Sequence, residues 1–417
     1  MATTVLPPEL DDMIIDHLHD DPATLGRCAL VCRSWLPAVR HHSWSTIRVT
    51  ANADDLARLS SLLTESPDIS AYILNVVVVQ KESQGQPSDD DLQLLHPTLS
   101  TLSTLMKLTT LTLDGLCFGT MDGRERNAMS QISLPLVKKL NISTCSFDSF
   151  GDVSRLCATF PALSDLRFDG VWWGKWLVDH RVQEDVDEQE PKDIVPQLKL
   201  RDLDLGSCFS RDKAVDWLLK SLAHGCVEAL HLPLIGAHDT RLKDLLAFVG
   251  PSLQHLDIGS PSGSTSRIRY DNSSNTRVPL ASHLDLSSTT SLRTISLSVP
   301  TYRDASFITQ WLIAVLSQVA SPVLEEVRFA IYPILKTDVA DAESRLGGFG
   351  WVEIAELLRG PQFAQVRKIA FCAGRRTDYL QIPSAFAALD NVVPMVVSKI
   401  FEPLRHRGAV ICFEELR

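Results

Sequence analysis

The sequence predicts an α/β protein in which a short helical module precedes a solenoid of repeated strand–turn–helix units. Two observations carry this prediction. A short apolar pattern recurs in series along most of the 417 residues, whereas the first 50 residues show helix-start signals followed by apolar stripes. We therefore expect two domains, a helical module at residues 1–50 and a solenoid at residues 51–417.

The first predicted helix begins at Pro8, because a proline at the first helical position sacrifices no hydrogen bond. Glu9, Asp11 and Asp12 complement the positive end of the helix dipole. Apolar residues then follow at helical spacing: Leu10, Met13, Ile14 and Leu18.

The second predicted helix begins at Asp21 and Pro22, an N-cap residue followed by proline. Its apolar residues point both ways around the helix axis: Leu25, Cys28, Ala29, Leu30, Val31 and Cys32. A segment of about 40 residues rarely buries enough surface to fold alone. We therefore expect a partner surface, which is the first solenoid repeats, another protein, or both.

The same segment carries a known motif in order and spacing: Leu6-Pro7, Glu9, Ile14, Leu18, Leu25, Val31-Cys32-Arg33, Trp35 and Trp44. It resembles the F-box, and its runs at 29–35 and 40–42 resemble those of mushroom-type (basidiomycete) fungal F-box proteins. The resemblance implies a three-helix module that docks on a Skp-type adaptor and so joins a cullin-based ubiquitin ligase. Carried over by position, the adaptor-facing or supporting residues are Leu6, Pro7, Ile14, Leu18, Leu25, Val31, Cys32 and Trp35.

The alternative for this segment is a helical cap on the end of the solenoid, which repeat arrays need in any case. The protein would then be a binding scaffold unrelated to ubiquitin. The two interpretations are compatible, since one face of the module could cap while the other docks.

The solenoid prediction rests on a triplet of apolar residues, separated first by two residues and then by one. An earlier copy fits at Ile73, and successive starts of the others are 26 to 42 residues apart. The shortest intervals fit a repeat of about 20–29 residues. The nine serial copies begin at Leu108, Val137, Leu163, Leu200, Val227, Leu253, Leu292, Leu324 and Val366.

Helix-like segments lie between these predicted strands, at 212–223, 242–249, 307–319 and 354–358. One such unit cannot bury its apolar face alone, whereas stacked units build a continuous core. With L-x-x-L-x-L as the matching element, the region resembles the leucine-rich repeat family. That resemblance implies parallel strands on a concave face and helices on a convex face. The Asn/Cys position that follows the element in this family is kept only at Cys145 and Cys208.

Longer intervals between triplets require insertions. An acidic stretch occupies 179–193 and a stretch rich in Ser, Asn and Gly occupies 259–279, and both are predicted to be surface loops. The alternative to a solenoid is a mixed α/β domain with ordinary buried strands.

Alternate strand positions should project onto the concave sheet, because side chains alternate along a strand. These positions are polar and mixed in charge, which suits a protein partner better than a lipid or a polyanion. The candidate target contacts are Arg167, Asp204, His231, Asp257 and Arg328. Three tryptophans at 172, 173 and 176 predict local packing or, alternatively, a binding hot spot. The target remains unidentified, and no Arg/Lys cluster typical of a phosphate pocket is apparent in the sequence.

Composition excludes several other classes of function. The net charge of −11 argues against nucleic-acid binding, and no apolar run approaches the roughly 20 residues that span a bilayer. No secretory signal is visible, and nine scattered cysteines without a C-x-x-C pair indicate a reduced intracellular compartment, the cytoplasm or the nucleus. We find no catalytic, metal-binding or cofactor-binding motif, so we expect a non-enzymatic protein without a cofactor.

Overall fold

The computed structural model describes residues 8–80, 95–118, 131–176, 182–183, 197–208, 210–233, 235–236, 239–259, 284–301, 304–332, 339–373 and 383–415. Contacts divide the chain into two units, Met1–Leu198 and Lys199–Arg417. Leu6, Pro7 and most of the two predicted insertions lie outside the described residues. The predicted domains at 1–50 and 51–417 stay predictions, because a division by contacts groups the N-terminal helices with the strands that follow them.

The first unit combines helices with parallel strands. Its strands are β1 (Thr46–Thr50), β2 (Asn75–Val79), β3 (Thr110–Asp114), β4 (Cys117–Phe118), β5 (Lys139–Ser143), β6 (Ser146–Phe147), β7 (Asp165–Asp169), β8 (Trp172–Trp173), β9 (Lys175–Trp176) and β10 (Val182–Gln183). Its helices are α1 (Pro8–Asp16), α2 (Pro22–Cys28), α3 (Leu36–Trp44), α4 (Ala53–Glu65), α5 (Leu95–Leu102) and α6 (Phe150–Ala158), with a 3₁₀ helix at Pro67–Ala71. The strands β1, β2, β3, β5 and β7 pair in parallel in that order. The short strands β4, β6 and β8 form a second parallel sheet, and β9 pairs antiparallel with β10.

The second unit repeats the same alternation. Its strands are β11 (Asp202–Leu205), β12 (Ala229–Leu232), β13 (His255–Ile258), β14 (Thr294–Pro300), β15 (Glu326–Tyr332), β16 (Lys368–Ala373) and β17 (Val410–Glu415). Its helices are α7 (Arg211–Ser221), α8 (Leu242–Val249), α9 (Ala305–Leu316), α10 (Val339–Gly347), α11 (Trp351–Leu358) and α12 (Pro383–Arg405), with a 3₁₀ helix at Pro361–Phe363. Neighbouring strands from β11 to β17 pair in parallel in sequence order. None of the described helices is long and apolar enough to cross a membrane.

The apolar triplets mark the strands, as predicted. In the first unit Leu111 pairs with Leu140 and Leu140 with Leu166, and each is at most 2% exposed. In the second unit the paired Leu230 and Leu256 are equally buried. On β3, β5 and β12 the alternate residues face the other side and stay at least partly exposed. On β14, β15 and β16 that other face is partly buried, at Ser298, Ala330, Ala370 and Cys372. An α/β chain with parallel strands, each apolar on one face, is therefore confirmed.

Apart from the short strands β4, β6, β8, β9 and β10, two described strands lie outside the predicted series, β1 and β17. Trp44 at the end of α3 and Ile47 and Val49 of β1 do follow the triplet spacing. They were not counted as a repeat because they overlap the end of the F-box-like segment. The strand β17 was missed because Gly408 stands where the first apolar residue of its triplet would be. Gly408 has a φ of 90°, a left-handed conformation that glycine adopts without strain.

Shortening a buried triplet residue should destabilise the fold, since it removes apolar burial and leaves a cavity. We expect Leu140→Ala, at a position that is 0% exposed, to lower the free energy of unfolding by about 2–5 kcal/mol. The matched control Leu136→Ala, at a position 48% exposed, should cost less than about 0.5 kcal/mol. Urea denaturation measures both, and equal losses would contradict the assignment of the buried strand face.

Candidate protein-binding surfaces

The helices α1, α2 and α3 enclose a small apolar core. Its buried members are Ile15, Leu25, Cys28 and Val39, and Leu18, Ala29, Trp35 and Ala38 pack against it while remaining partly exposed. Because Ile15 is the residue of α1 that enters this core, the adjacent Ile14 lies on an outer face and is 41% exposed.

Polar contacts hold the three helices in place. The side chain of Asp21 caps α2 by accepting hydrogen bonds from the Thr24 backbone N–H (3.0 Å) and the Thr24 hydroxyl (2.6 Å). These bonds lower the pKa of the Asp21 carboxyl, as expected for an N-cap aspartate. Nε2 of His42 lies 2.7 Å from Oδ1 of Asp16, which joins α3 to the end of α1.

The helix α2 ends at Cys28, four residues earlier than the apolar pattern predicts. The backbone N–H groups of Leu30 and Val31 bond three residues back, to the carbonyls of Arg27 and Cys28, at 3.0 Å each. Such bonds tighten the last turn and stop the helix. As a result Leu30 is 87% and Val31 is 63% exposed.

Five exposed apolar side chains belong to these helices and this turn, and we call them the N-terminal apolar patch: Leu10, Met13, Ile14, Leu30 and Val31. Ile14 and Val31 are two of the residues predicted to face an adaptor. Cys32 is also exposed, whereas Leu18 and Trp35 are partly buried and Leu25 is only 1% exposed, in a supporting place. The motif pattern did not single out Met13 or Leu30, although both stand in the apolar runs of the sequence.

Four of the predicted target contacts lie in one register row of the second unit. Asp204 on β11 pairs with His231 on β12, and His231 pairs with Asp257 on β13. The row continues through Ser296 on β14 to Arg328 on β15. We call these five residues the polar row. Arg167 belongs to the first unit, where its Nη2 lies 3.9 Å from Oδ2 of Asp169 and its side chain is 51% exposed. The role of all these residues in target binding stays a prediction.

His231 is the electrostatic centre of the polar row. Its Nε2 lies 3.4 Å from Oδ1 of Asp202 and its Nδ1 lies 3.7 Å from Oδ2 of Asp257. Burial alone would lower the pKa of the imidazole, but interaction with Asp202 and Asp257 and the nearby charge of Asp204 outweigh it and raise the pKa to about 10. The sheet therefore holds a protonated histidine among three carboxylates at neutral pH.

The other end of the polar row is a network of ion pairs. Nε and Nη2 of Arg328 donate to the two carboxylate oxygens of Glu326, at 2.8 and 3.2 Å. Nζ of Lys368 lies 2.9 Å from Oε1 of Glu326 and 2.6 Å from Oε1 of Glu414. These two carboxylates raise the pKa of the Lys368 amine. Glu326 thus orients the guanidinium of Arg328, and Lys368 links Glu326 on β15 to Glu414 on β17. The sequence alone carried no signal for this network.

Of the two tryptophans on β8, Trp173 has a packing role, which argues against a binding hot spot at that position. Trp173 is 3% exposed, and its ring meets that of Phe150 edge to face at a centroid distance of 5.0 Å. Trp172 is half-buried, and the side chain of Trp176 lies outside the described residues.

Metal ligation finds no support in the part of the chain that the structure describes. No three His, Cys, Asp or Glu side chains there are grouped so as to hold a metal ion. Cys28 and Cys32 are four residues apart but lie in different environments. Cys28 is buried in the helical core, whereas Cys32 is exposed.

The raised pKa of His231 predicts a pH-dependent stability. A group whose pKa rises on folding stabilises the folded state fully below its unfolded pKa, about 6.5, and loses that contribution as the pH rises toward 10. We expect urea denaturation between pH 6 and pH 8.5 to show the wild-type protein losing stability relative to His231→Gln. Parallel pH profiles for the two proteins would contradict the ion pairing described above.

No protein-family model matches the chain, and no curated protein matches it in sequence. Among solved structures, the chain is similar to one in the crystal structure of the Rad7 and Elc1 complex in yeast. The two share 14% sequence identity with a TM-score of 0.33, over 94% of this chain and 85% of that chain. A TM-score of this size assigns no function.

Proposed function

We propose that this chain is an intracellular, non-catalytic subunit that recognises targets for a Skp–cullin–F-box type ubiquitin ligase. In this proposal the N-terminal helices are an F-box that docks on a Skp-type adaptor, and the leucine-rich-repeat-like strands hold a target protein. The observation that carries it is the N-terminal apolar patch on a segment whose sequence resembles the F-box.

The patch supports docking because its apolar side chains are concentrated in a short stretch. Among the described residues, twelve large hydrophobic side chains are exposed, and five of them lie between residues 10 and 31. Each large apolar side chain left in water forgoes about 1.5–3 kcal/mol of burial. Exposed apolar residues concentrated in one short segment favour an interaction site, whereas single exposed apolar residues are ordinary.

Some of the residues that the resemblance assigns to the adaptor support the proposal by their exposure. Ile14 and Val31 are exposed, whereas Leu25 is buried in the helical core. An adaptor that covers the patch would supply the apolar neighbours that the module lacks. Residues Leu6 and Pro7 lie outside the described part of the chain, so their assignment rests on the resemblance alone.

The strands support a role in holding a target. The polar row presents an imidazolium, carboxylates and a guanidinium on the strand face opposite the buried triplets. In a ligase of this type, chemistry belongs to other subunits. A recognition subunit accelerates transfer by raising the effective concentration of a target lysine near activated ubiquitin.

The second candidate is a scaffold unrelated to ubiquitin, in which the helices only cap the strands. One observation favours it: α3 runs directly into β1, and the carbonyl of Ser45 between them accepts bonds from the N–H groups of Leu74 and Asn75, at 3.0 and 2.8 Å. The helices are therefore anchored to the first two strands. Adaptor binding separates the two candidates, because a pure cap needs no adaptor.

We expect the wild-type chain to co-purify with a Skp-type adaptor and Val31→Glu to lose at least about tenfold in adaptor recovery, since a carboxylate would be buried at the docking surface. Val352→Glu is a matched control, because Val352 is 54% exposed on α11 of the second unit and Val31 is 63% exposed. Proteins lost with Val31→Glu are then ligase subunits, and proteins retained are target candidates.

Circular dichroism should show the same thermal unfolding for both variants and the wild type. A folded wild-type chain that fails to bind any Skp-type adaptor would leave the scaffold as the better proposal.

A further inference from the structure

A solvent-open cavity of about 500 Å³ lies on the surface of the first unit, between α3, the 3₁₀ helix at Pro67–Ala71 and the turn before β3. Its volume falls within the range of small-ligand sites in proteins. The side chains that decide its chemistry are Arg40, His41, Asp68, Tyr72, Leu74 and Lys107. None of them belongs to the N-terminal apolar patch or to the polar row.

Backbone hydrogen bonds fix the three walls relative to one another. The Ser45 carbonyl, which follows α3, accepts from the N–H of Leu74 at 3.0 Å. The Leu74 carbonyl in turn accepts from the N–H groups of Thr109 and Thr110, at 2.8 and 3.1 Å. The three backbone segments that carry Arg40, Leu74 and Lys107 are therefore joined by hydrogen bonds within the fold itself.

The cavity is basic although the chain as a whole is acidic. Arg40, His41 and Lys107 face it with one carboxylate, Asp68, in a chain of net charge −11. Within the described ranges, the side chains of Arg40 and Lys107 make no hydrogen bond or ion pair. Two arginines of the second unit behave otherwise: Arg201 pairs with Glu228 at 2.8 Å and Arg293 pairs with Glu325 at 3.0 Å.

The combination of donors favours a phosphoryl group over a carboxylate. A phosphoryl group carries up to two negative charges and three strong acceptor oxygens. Arginine and lysine donors match it as a planar fork and a compact point charge. His41 and Tyr72, which also line the cavity, carry side chains that can donate hydrogen bonds, and Leu74 adds an apolar residue to the lining.

We propose that this cavity binds a phosphoryl group, borne either by a phosphorylated side chain of another protein or by a small phosphate ester. This site goes beyond the proposed adaptor and target functions, and neither function is needed for it to bind.

Titration calorimetry of the full chain with phenyl phosphate tests the proposal. We expect saturable binding by the wild type, and a loss of at least about tenfold in affinity for both Arg40→Gln and Lys107→Met, since each removes a charge-assisted hydrogen bond. Lys138→Met is the matched control, because Lys138 is exposed in the same unit and does not line the cavity. All variants sit at partly or fully exposed positions, and thermal unfolding verifies that they fold.

Two further ligands identify the source of the phosphoryl group. Tighter binding of a phosphoserine peptide than of inorganic phosphate supports a phosphorylated protein, and equal or weaker binding of the peptide supports a small ester. Benzoate is the control for charge alone.

Three results would overturn the proposal: no saturable binding by the folded wild type, unchanged affinity in both Arg40→Gln and Lys107→Met, or benzoate binding as tightly as phenyl phosphate. Val31→Glu should leave phosphate binding intact. Loss of adaptor capture and loss of phosphate binding are thus measured independently.

Discussion

The register of the buried triplets is the constraint on which the rest of the structure depends. Each strand buries the apolar triplet residues on one of its faces, so a slip of one residue would turn those side chains to the opposite face. The parallel pairing of Leu230 with Leu256 therefore also determines where the polar residues lie. His231 meets Asp257 on one side and the carboxylates of β11 on the other because the leucines beside them pack in register. Burial on one face sets the electrostatics of the opposite face.

The N-terminal helices obey the same physics with a different outcome. Among the described residues their core has four buried members, Ile15, Leu25, Cys28 and Val39, and Leu30 and Val31 in the turn after α2 are exposed. Helical cores of this size are at the lower limit of independent stability. The segment is supported on one side through Ser45 and the first strands, and it keeps an apolar surface elsewhere. The anchored side and the proposed docking surface are thus different parts of one short module.

Local patterns predicted the elements whose information is local. The strand-forming triplets and the N-cap at Asp21 could be recognised from the sequence because each depends on residues a few positions apart. The early end of α2 could not be predicted. The same apolar run is compatible with hydrogen bonds to the residue four positions back, which continue a helix, and with bonds to the residue three positions back, which end it here. The strand β17 was hidden by Gly408, and the Glu326–Lys368–Glu414 network depends on a pairing between distant strands. The sequence did not predict the basic cavity for the same reason. Arg40 and Lys107 are far apart in the chain, and their segments are joined through backbone hydrogen bonds to Leu74.

The alternation along each strand has a consequence for how such a protein diversifies. Residues such as Asn141 and Asp257 occupy positions whose neighbours one step along the chain carry the packing energy. Replacing an outward residue changes the chemistry of the exposed strand face while the inward leucines stay untouched. Successive single substitutions can therefore remodel the charge pattern of that face without disturbing the packing that keeps the chain folded.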